Sequence, residues 1–300
     1  MGLAAGVDRN AVALKFLTAL GVGHIETGNV TAQARPGNPR PRLFRLEADQ
    51  ALINRIGLNN YGADVLAEKL RGKKFNIPIG INIAKTHDPN ILGDKAVEDF
   101  VYSFKKLYGI GSYITLNVSC PNTAEGITFE EPTALNILLT EIKKAAAVFA
   151  TQHPILVKIS PDIGFGQLEK VLEVCASHNI DGYVFTNTSV SREGLRTSVE
   201  SIKQMGKGGL SGRPIAKKST EIIRQAYKLL RRPCIIGLGG VDSPESAYEK
   251  IKAGASLVQL YTGLVYEGPG LIKRINQDLV KFLERDGFKN ISEAVGVEAK

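Results

Sequence analysis

Short apolar segments alternate with amphipathic segments along this chain. The apolar segments, rich in valine, isoleucine and glycine, predict strands at residues 2–6, 23–27, 78–83, 112–118, 155–159, 182–186, 234–238 and 257–261. Helical periodicity between them predicts helices that include residues 63–71, 96–107, 134–149, 167–177, 219–230 and 244–253. Strands that alternate with helices are typical of parallel β-structure, so the pattern predicts an α/β fold, a closed (β/α)₈ TIM barrel.

The barrel is predicted to be one domain that spans residues 1–300, because no linker, repeat or low-complexity segment interrupts the pattern. A doubly wound sheet is the alternative, but no GxGxxG motif follows the first strand. Two connections, residues 28–62 and 188–213, are too long for plain barrel loops. Long ordered loops in compact domains are usually functional or mobile, so we expect one of these two properties for both connections.

The charge and composition of the chain limit which kinds of molecule it is expected to bind. With 38 basic and 30 acidic residues the chain carries a net charge of +8, which would suit nucleic acid or an anionic membrane surface. The basic residues are scattered and tryptophan is absent, so we expect a solvated face and no nucleic-acid partner. A positive field also suits small anionic ligands.

The cysteine count indicates a reducing compartment. Three cysteines without close spacing argue against a disulfide framework and a structural zinc site, and the four histidines form no metal-ligand pattern. We therefore expect no metal. No stretch of 18 apolar residues and no signal peptide is present, so this chain alone is predicted to be soluble and cytoplasmic.

Polar and glycine residues recur where the predicted strands end, and in barrels of this type that end carries the active site. Lys158 lies in an otherwise apolar strand; it could reach solvent, but its neighbours favour a cation fixed in the barrel mouth. Four asparagines suit a ligand edged with C=O and N–H groups, such as a pyrimidine. Glycines after strand seven suit a phosphate. The candidate residues are Ala4, Ala5, Gly6, Asp8, Arg9, Asn54, Asn82, Lys85, Asn117, Cys120, Asn122, Lys158, Thr186, Asn187, Thr188, Gly239, Gly240, Tyr261 and Thr262.

Nine motifs in order resemble those of the dihydroorotate dehydrogenases over nearly the full length. They are GLAAGVD (2–8), GNPRPRLFRL (37–46), INRIGLNN (53–60), NVSCPNT (117–123), LVKISPD (156–162), FTNTSVSR (185–192), GGLSGRP (208–214), IIGLGGVDS (235–243) and AGASLVQLYTGL (253–264). The second, third and seventh are most similar to class 2, the quinone-reducing branch. The resemblance implies a barrel that holds FMN at the C-terminal face of its strands and oxidises dihydroorotate to orotate in pyrimidine biosynthesis.

The resemblance also implies roles for particular residues. FMN would contact Ala4, Ala5, Gly6, Asp8, Asn29, Asn82, Asn117, Lys158, Thr186, Gly212, Gly240, Tyr261 and Thr262. Dihydroorotate would contact Arg9, Asn54, Arg55, Ile56, Gly57, Leu58, Asn117, Asn122, Asn187 and Thr188. Cys120 would be the catalytic base that removes a proton from the substrate ring.

Some residues depart from the class 2 pattern. Class 2 enzymes usually carry serine at the base position, so Cys120 resembles class 1, and Arg9 and Asn29 replace a lysine and a hydroxyl residue. Class 2 also has an N-terminal helix pair for quinone and membrane contact, which this chain is predicted to lack. A full-length protein of class 2 type would be peripheral to the inner membrane, and membrane contact would require such an extension. We expect a quinone as acceptor; the alternatives are fumarate or another soluble acceptor, or a non-catalytic flavin- or RNA-binding barrel.

Overall fold

The computed structural model describes residues 1–119, 128–230 and 233–299, and within them eight parallel strands close into a barrel. The strands of the described residues are β1 (Gly2–Leu3), β2 (His24–Val30), β3 (Leu43–Leu46), β4 (Ala51–Asn54), β5 (Ile79–Ala84), β6 (Tyr113–Asn117), β7 (Ile155–Ile159), β8 (Gly182–Phe185), β9 (Gly209–Gly212), β10 (Cys234–Gly237) and β11 (Leu257–Leu260). The hydrogen-bonded order around the barrel is β1-β11-β10-β8-β7-β6-β5-β2. The predicted TIM barrel is confirmed.

Helices surround the barrel. Those in the described residues are α1 (Leu14–Ala19), α2 (Ala63–Leu70), α3 (Asp94–Leu107), α4 (Pro132–Ala146), α5 (Phe165–Ser177), α6 (Val199–Met205), α7 (Ala216–Leu229), α8 (Pro244–Lys252), α9 (Thr262–Glu267), α10 (Gly270–Asp286) and α11 (Ile291–Ala294). The six predicted helices are confirmed, with bounds that differ by at most three residues. Within the described part of the chain, no helix combines the length and the apolar character needed to cross a membrane.

The two long connections are more regular than the sequence predicts. They contribute β3, β4 and β9, which pair antiparallel in the order β3-β4-β9 as a separate small sheet. The sequence analysis predicted no strands within these two connections. The sequence gives no local sign of this sheet, because β4 and β9 are only four residues long each and lie far apart in the chain. The first predicted strand is also shorter than expected, since Gly6 turns the chain with φ +101°.

Side chains alternate between the inside and the outside of the barrel. On β7, Ile155, Val157 and Ile159 pack outward in the large core beneath the helices, whereas Leu156 joins the cluster inside the barrel. That inner cluster consists of Ala4, Tyr113, Leu156, Val184, Ile236 and Leu238. A filled interior closes the barrel below and leaves the carboxyl ends of the strands to form a site.

A substitution at Gly80 tests how tightly the interior of the barrel is packed. A Cβ at this position would lie 2.1 Å from Cζ of the buried Tyr113 ring, so Gly80→Ala is expected to lower the free energy of unfolding by about 2 kcal/mol. Gly166→Ala is the control: Gly166 lies in α5, an added Cβ there would meet no other described part of the chain within 4 Å, and the variant should be neutral or stabilising. Urea unfolding measures both variants. Equal free energies for Gly80→Ala and the wild type would show that the Tyr113 ring can move.

Candidate functional site

A cavity of about 1090 Å³ opens at the carboxyl ends of the barrel strands. The barrel contributes the residues at or just beyond its strand ends, among them Asn117, Lys158 and Thr186. The small sheet β3-β4-β9 forms another wall, to which Asn54 and Gly209 belong. The cavity thus lies where the polar strand ends of the sequence predict a site.

Most of the residues singled out from the sequence line this one cavity. They are Ala4, Ala5, Gly6, Arg9, Asn29, Asn54, Arg55, Ile56, Gly57, Leu58, Asn117, Lys158, Thr186, Asn187, Thr188, Gly212, Gly240, Tyr261 and Thr262. Asp8 and Asn82 are buried behind the lining: the Asp8 carboxylate accepts the N–H groups of Val12 and Ala13, 2.9 and 2.8 Å away. Cys120 and Asn122 lie outside the described residues, so their predicted roles stay predictions.

The asparagines of the barrel mouth form a connected group. Asn117 Nδ2 donates to Asn29 Oδ1, and Asn187 Nδ2 donates to Asn117 Oδ1 at 3.2 Å and to Ser119 Oγ. On the opposite wall, Asn54 Nδ2 donates to the Gly209 carbonyl at 3.2 Å. These bonds fix the amide orientations and so present defined donors and acceptors to a planar ligand. Neutral amides on two walls suit a ring edged with C=O and N–H groups.

Lys158 points into the barrel because it follows Leu156 by two residues on the same strand. It is 4 % exposed, lines the cavity, and is paired in register with Asn117 of β6. A cation held in this position can stabilise negative charge that develops on a bound ring system. The interpretation of Lys158 as a cation fixed in the barrel mouth is thereby supported over the solvent-reaching alternative.

A buried carboxylate beneath the cavity was missed by sequence reasoning. Glu26 is fully buried and accepts hydrogen bonds from Asn82 Nδ2 (2.7 Å), Thr115 Oγ1 (3.1 Å), Tyr113 OH (3.3 Å) and Gln259 Nε2 (3.3 Å). Because Glu26 accepts hydrogen bonds from the amide N–H groups of Asn82 and Gln259, both amide oxygens face away from it. The sequence signal was present, since Glu26 lies mid-strand with His24 and Gly28 at two-residue spacing.

Three buried oxygens in this part of the barrel have no hydrogen-bond partner within the described residues: Asn82 Oδ1 and Gln259 Oε1, whose amides contact Glu26, and Thr186 Oγ1. Leaving such acceptors unpaired costs about 1–3 kcal/mol each. Thr186 and Gln259 line the cavity, so a ligand with N–H or O–H donors would satisfy them. The pyrimidine edge and ribityl chain of FMN carry such donors, and the residues fit this cofactor.

Glycines form the other end of the cavity. Gly212, Gly239 and Gly240 line it with φ values of +101°, +113° and +74°, a region that other residues rarely adopt. A Cβ at Gly240 would lie 2.3 Å from Cβ of Ala216, the first residue of α7. Backbone N–H groups can therefore approach a phosphate closely beside a helix N-terminus, which suits the FMN phosphate.

The charged residues of the lining are mostly basic. Arg9, Arg55, Lys85 and Lys207 face it, and Asp88, the acidic residue among the described lining, is paired with Arg35 at 3.3 Å. The Arg55 guanidinium is held by the Pro41 carbonyl and lies 5.3 Å from the Phe44 ring centroid. Such a field favours anionic ligands, including a carboxylate and a phosphate.

A second buried carboxylate that the sequence did not reveal lies beside the end of β7. Glu130 is 7 % exposed and accepts the N–H of Ser160, just beyond β7. Burial raises the pKa of Glu130 to about 7, and the negative charge of Asp162 acts in the same direction. Asp162 in turn accepts from Ser189 Oγ and Val190 N at 2.7 Å, which ties β7 to the connection after β8.

Comparison with known proteins identifies relatives over the whole chain. A family model described as dihydroorotate dehydrogenase matches residues 1–283. A protein of Gloeobacter violaceus named dihydroorotate dehydrogenase (quinone) is 44% identical over 99% of this chain and 81% of its own length. A protein of the same name from Natronomonas pharaonis is 45% identical over 99% of this chain and 82% of its own. A solved structure of ligand-free DHODH from Eimeria tenella superposes with a TM-score of 0.90 at 31% identity, covering 100% of this chain and 88% of that one.

Glu130 generates a prediction about pH. Between pH 4.5 and about 7 the unfolded chain loses a proton that the native Glu130 keeps, so this group lowers the stability of the fold as pH rises through that window. Glu130→Gln removes the effect. Relative to the wild type its free energy of unfolding should be similar near pH 4.5 and higher above pH 7, by up to about 3 kcal/mol. Urea titrations across this range measure the difference.

Glu131→Gln is the matched control. The adjacent Glu131 caps α4 by accepting the Ala134 N–H at 2.8 Å, and this bond lowers its pKa. Its stabilising effect is present above the unfolded pKa and is lost in acid, so Glu131→Gln should be less stable than the wild type at neutral pH. Parallel pH profiles for the two variants would contradict the assignment of Glu130.

Proposed function

Because the chain belongs to the dihydroorotate dehydrogenase family, we propose that it oxidises (S)-dihydroorotate to orotate in pyrimidine biosynthesis. FMN is its cofactor and a quinone its electron acceptor. The observation that carries the proposal is the convergence of Lys158, Asn54, Asn117 and Asn187 on one cavity at the barrel mouth. This set supplies a cation and neutral amides to a flat, anionic pyrimidine.

The oxidation forms a C5=C6 double bond in the substrate ring. A proton leaves C5 to a base, and a hydride leaves C6. FMN, when bound, supplies the two-electron acceptor for this hydride. The protein's part is to hold the ring with the scissile C–H bonds aligned, and positioning of this kind lowers the barrier by several kcal/mol.

Neutral and charged residues have different roles in this reaction. Asn54, Asn187 and Thr188 hydrogen-bond the ring, Arg55 attracts the substrate carboxylate, and Lys158 stabilises the negative charge that the reaction transfers into the site. The proposed base is Cys120, which lies outside the described residues. A free thiol has a pKa near 8.5, so a cysteine reaches its basic form closer to neutral pH than a serine hydroxyl does.

The quinone acceptor rests on the relatives. The proteins of Gloeobacter violaceus and Natronomonas pharaonis both carry quinone in their names, at 44% and 45% identity to this chain. We also propose that the whole protein is peripherally associated with the inner membrane. Fumarate, the alternative raised by Cys120, is tested directly below.

Anaerobic mixing with dihydroorotate tests the first half-reaction. The absorbance band of oxidised flavin should bleach in stopped-flow measurements, and addition of a short-chain ubiquinone should restore it faster than fumarate does. A flavin that stays oxidised with dihydroorotate would contradict the proposed substrate. Faster recovery with fumarate would assign the enzyme to a soluble acceptor.

Cys120→Ser tests the base. The variant should keep its flavin but reduce it about a hundredfold more slowly at neutral pH, with the rate optimum moved to higher pH, because the hydroxyl is a far weaker base at that pH. Cys234→Ser is the control, since Cys234 begins β10 at the end of the barrel away from the cavity. Its rate should match the wild type. An unchanged rate and pH profile in Cys120→Ser would remove Cys120 from this role.

A further inference from the structure

Lys250 of α8 is a lysine in the protein interior, only 1 % exposed. Its Nζ donates to Ser219 Oγ and Thr220 Oγ1 at 3.1 Å each and to the Ala216 carbonyl at 3.4 Å. All three acceptors are neutral and belong to the first turns of α7. The ammonium group is thus enclosed and hydrogen-bonded. Its positive charge lies at the N-terminal end of α7.

The charge of Lys250 is not balanced by an ion pair within the described residues. The neighbouring cations differ, since Arg213 is paired with Asp242 and Lys218 with Asp162. Burial lowers the pKa of Lys250 to about 7. A cation at a helix N-terminus also opposes the helix dipole. Both effects weaken the ligand-free protein, so packing and stability alone do not account for a lysine here.

The same turn of α7 supports the glycine end of the cavity. Ser219, which accepts from Lys250, donates its own hydroxyl to the Leu238 carbonyl at 2.6 Å. A Cβ at Gly239 would lie 3.2 Å from Ser219 Oγ, and one at Gly240 would lie 2.3 Å from Ala216 Cβ. Lys250 therefore bonds the residues against which both cavity-lining glycines pack. An anion beside these glycines would meet its electrostatic field.

We propose that Lys250 is a positioning residue and buried counter-charge for the phosphate of FMN. It holds the first turns of α7 against Gly239 and Gly240, and it offsets the negative charge of a phosphate monoester that those glycines admit. The inference rests on the proposed FMN function and deepens it. Its specific consequence is that Lys250 discriminates FMN from riboflavin, which has the same ring system and no phosphate.

The test compares the binding of the two flavins. Flavin-free wild type and Lys250→Met are titrated with FMN and with riboflavin, and binding is followed by the quenching of flavin fluorescence. Lys250→Met should weaken FMN binding about tenfold or more and change riboflavin binding by about twofold at most, because only FMN carries the charge. Thermal unfolding of the flavin-free variant should occur at the wild-type temperature or above, since an uncompensated buried charge is removed.

Lys228→Met is the matched control, because Lys228 is exposed in the last turn of α7, the helix that Lys250 contacts, and its loss alters net charge equally. It should bind both flavins as the wild type does. If Lys250→Met does not fold, Lys250→Gln takes its place. Equal weakening of FMN and riboflavin, or no weakening of FMN, would overturn the inference while leaving the proposed function intact. A wild type that binds neither flavin would overturn both.

Discussion

The site depends on one constraint: side chains of a β-strand alternate between two faces, and in a closed barrel one of those faces is the interior. Leu156 and Lys158 of β7 show the consequence, since the first fills the interior and the second, two residues later, enters the cavity. Tyr113, Thr115 and Asn117 follow the same order on β6. Both strands thus place a filling or polar group low in the barrel and a polar group at the mouth.

The alternation of side chains also brings charged groups into the interior, where they need hydrogen-bond partners or opposite charges. Glu26 accepts hydrogen bonds from neighbouring side chains, two of which are the amides of Asn82 and Gln259. Because these amides donate their N–H groups to Glu26, their oxygens point away from it. Those oxygens are left without partners among the described residues, and Gln259 lines the cavity. Lys250 is buried behind the glycine end of the cavity, where its Nζ donates to neutral acceptors and pairs with no carboxylate among the described residues. Unsatisfied acceptors at one end and an unbalanced cation at the other match a ligand with donors on its ring and negative charge on its tail.

The small sheet completes the site from outside the barrel. Its strands come from two connections that are distant in sequence, and the register of β4 with β9 pairs Asn54 with Gly209. The Asn54 side chain is oriented by the Gly209 carbonyl, so that pairing also sets which atoms of Asn54 face the cavity. Both the far wall of the site and the position of Arg55 depend on long-range pairing.

The sequence by itself determined the barrel, six of its helices and most of the lining residues. Periodicity is a local property, and the carboxyl ends of parallel strands always meet on one face, so Asn117, Lys158 and Asn187 could be assigned to one site without coordinates. The small sheet, the four donors to Glu26 and the enclosure of Lys250 were decided only by tertiary structure. Each depends on groups brought together from distant parts of the chain: Gln259 with Glu26, Ser219 with Lys250, Gly209 with Asn54. No local pattern records such pairings, because burial and hydrogen-bond partners arise only when the barrel closes.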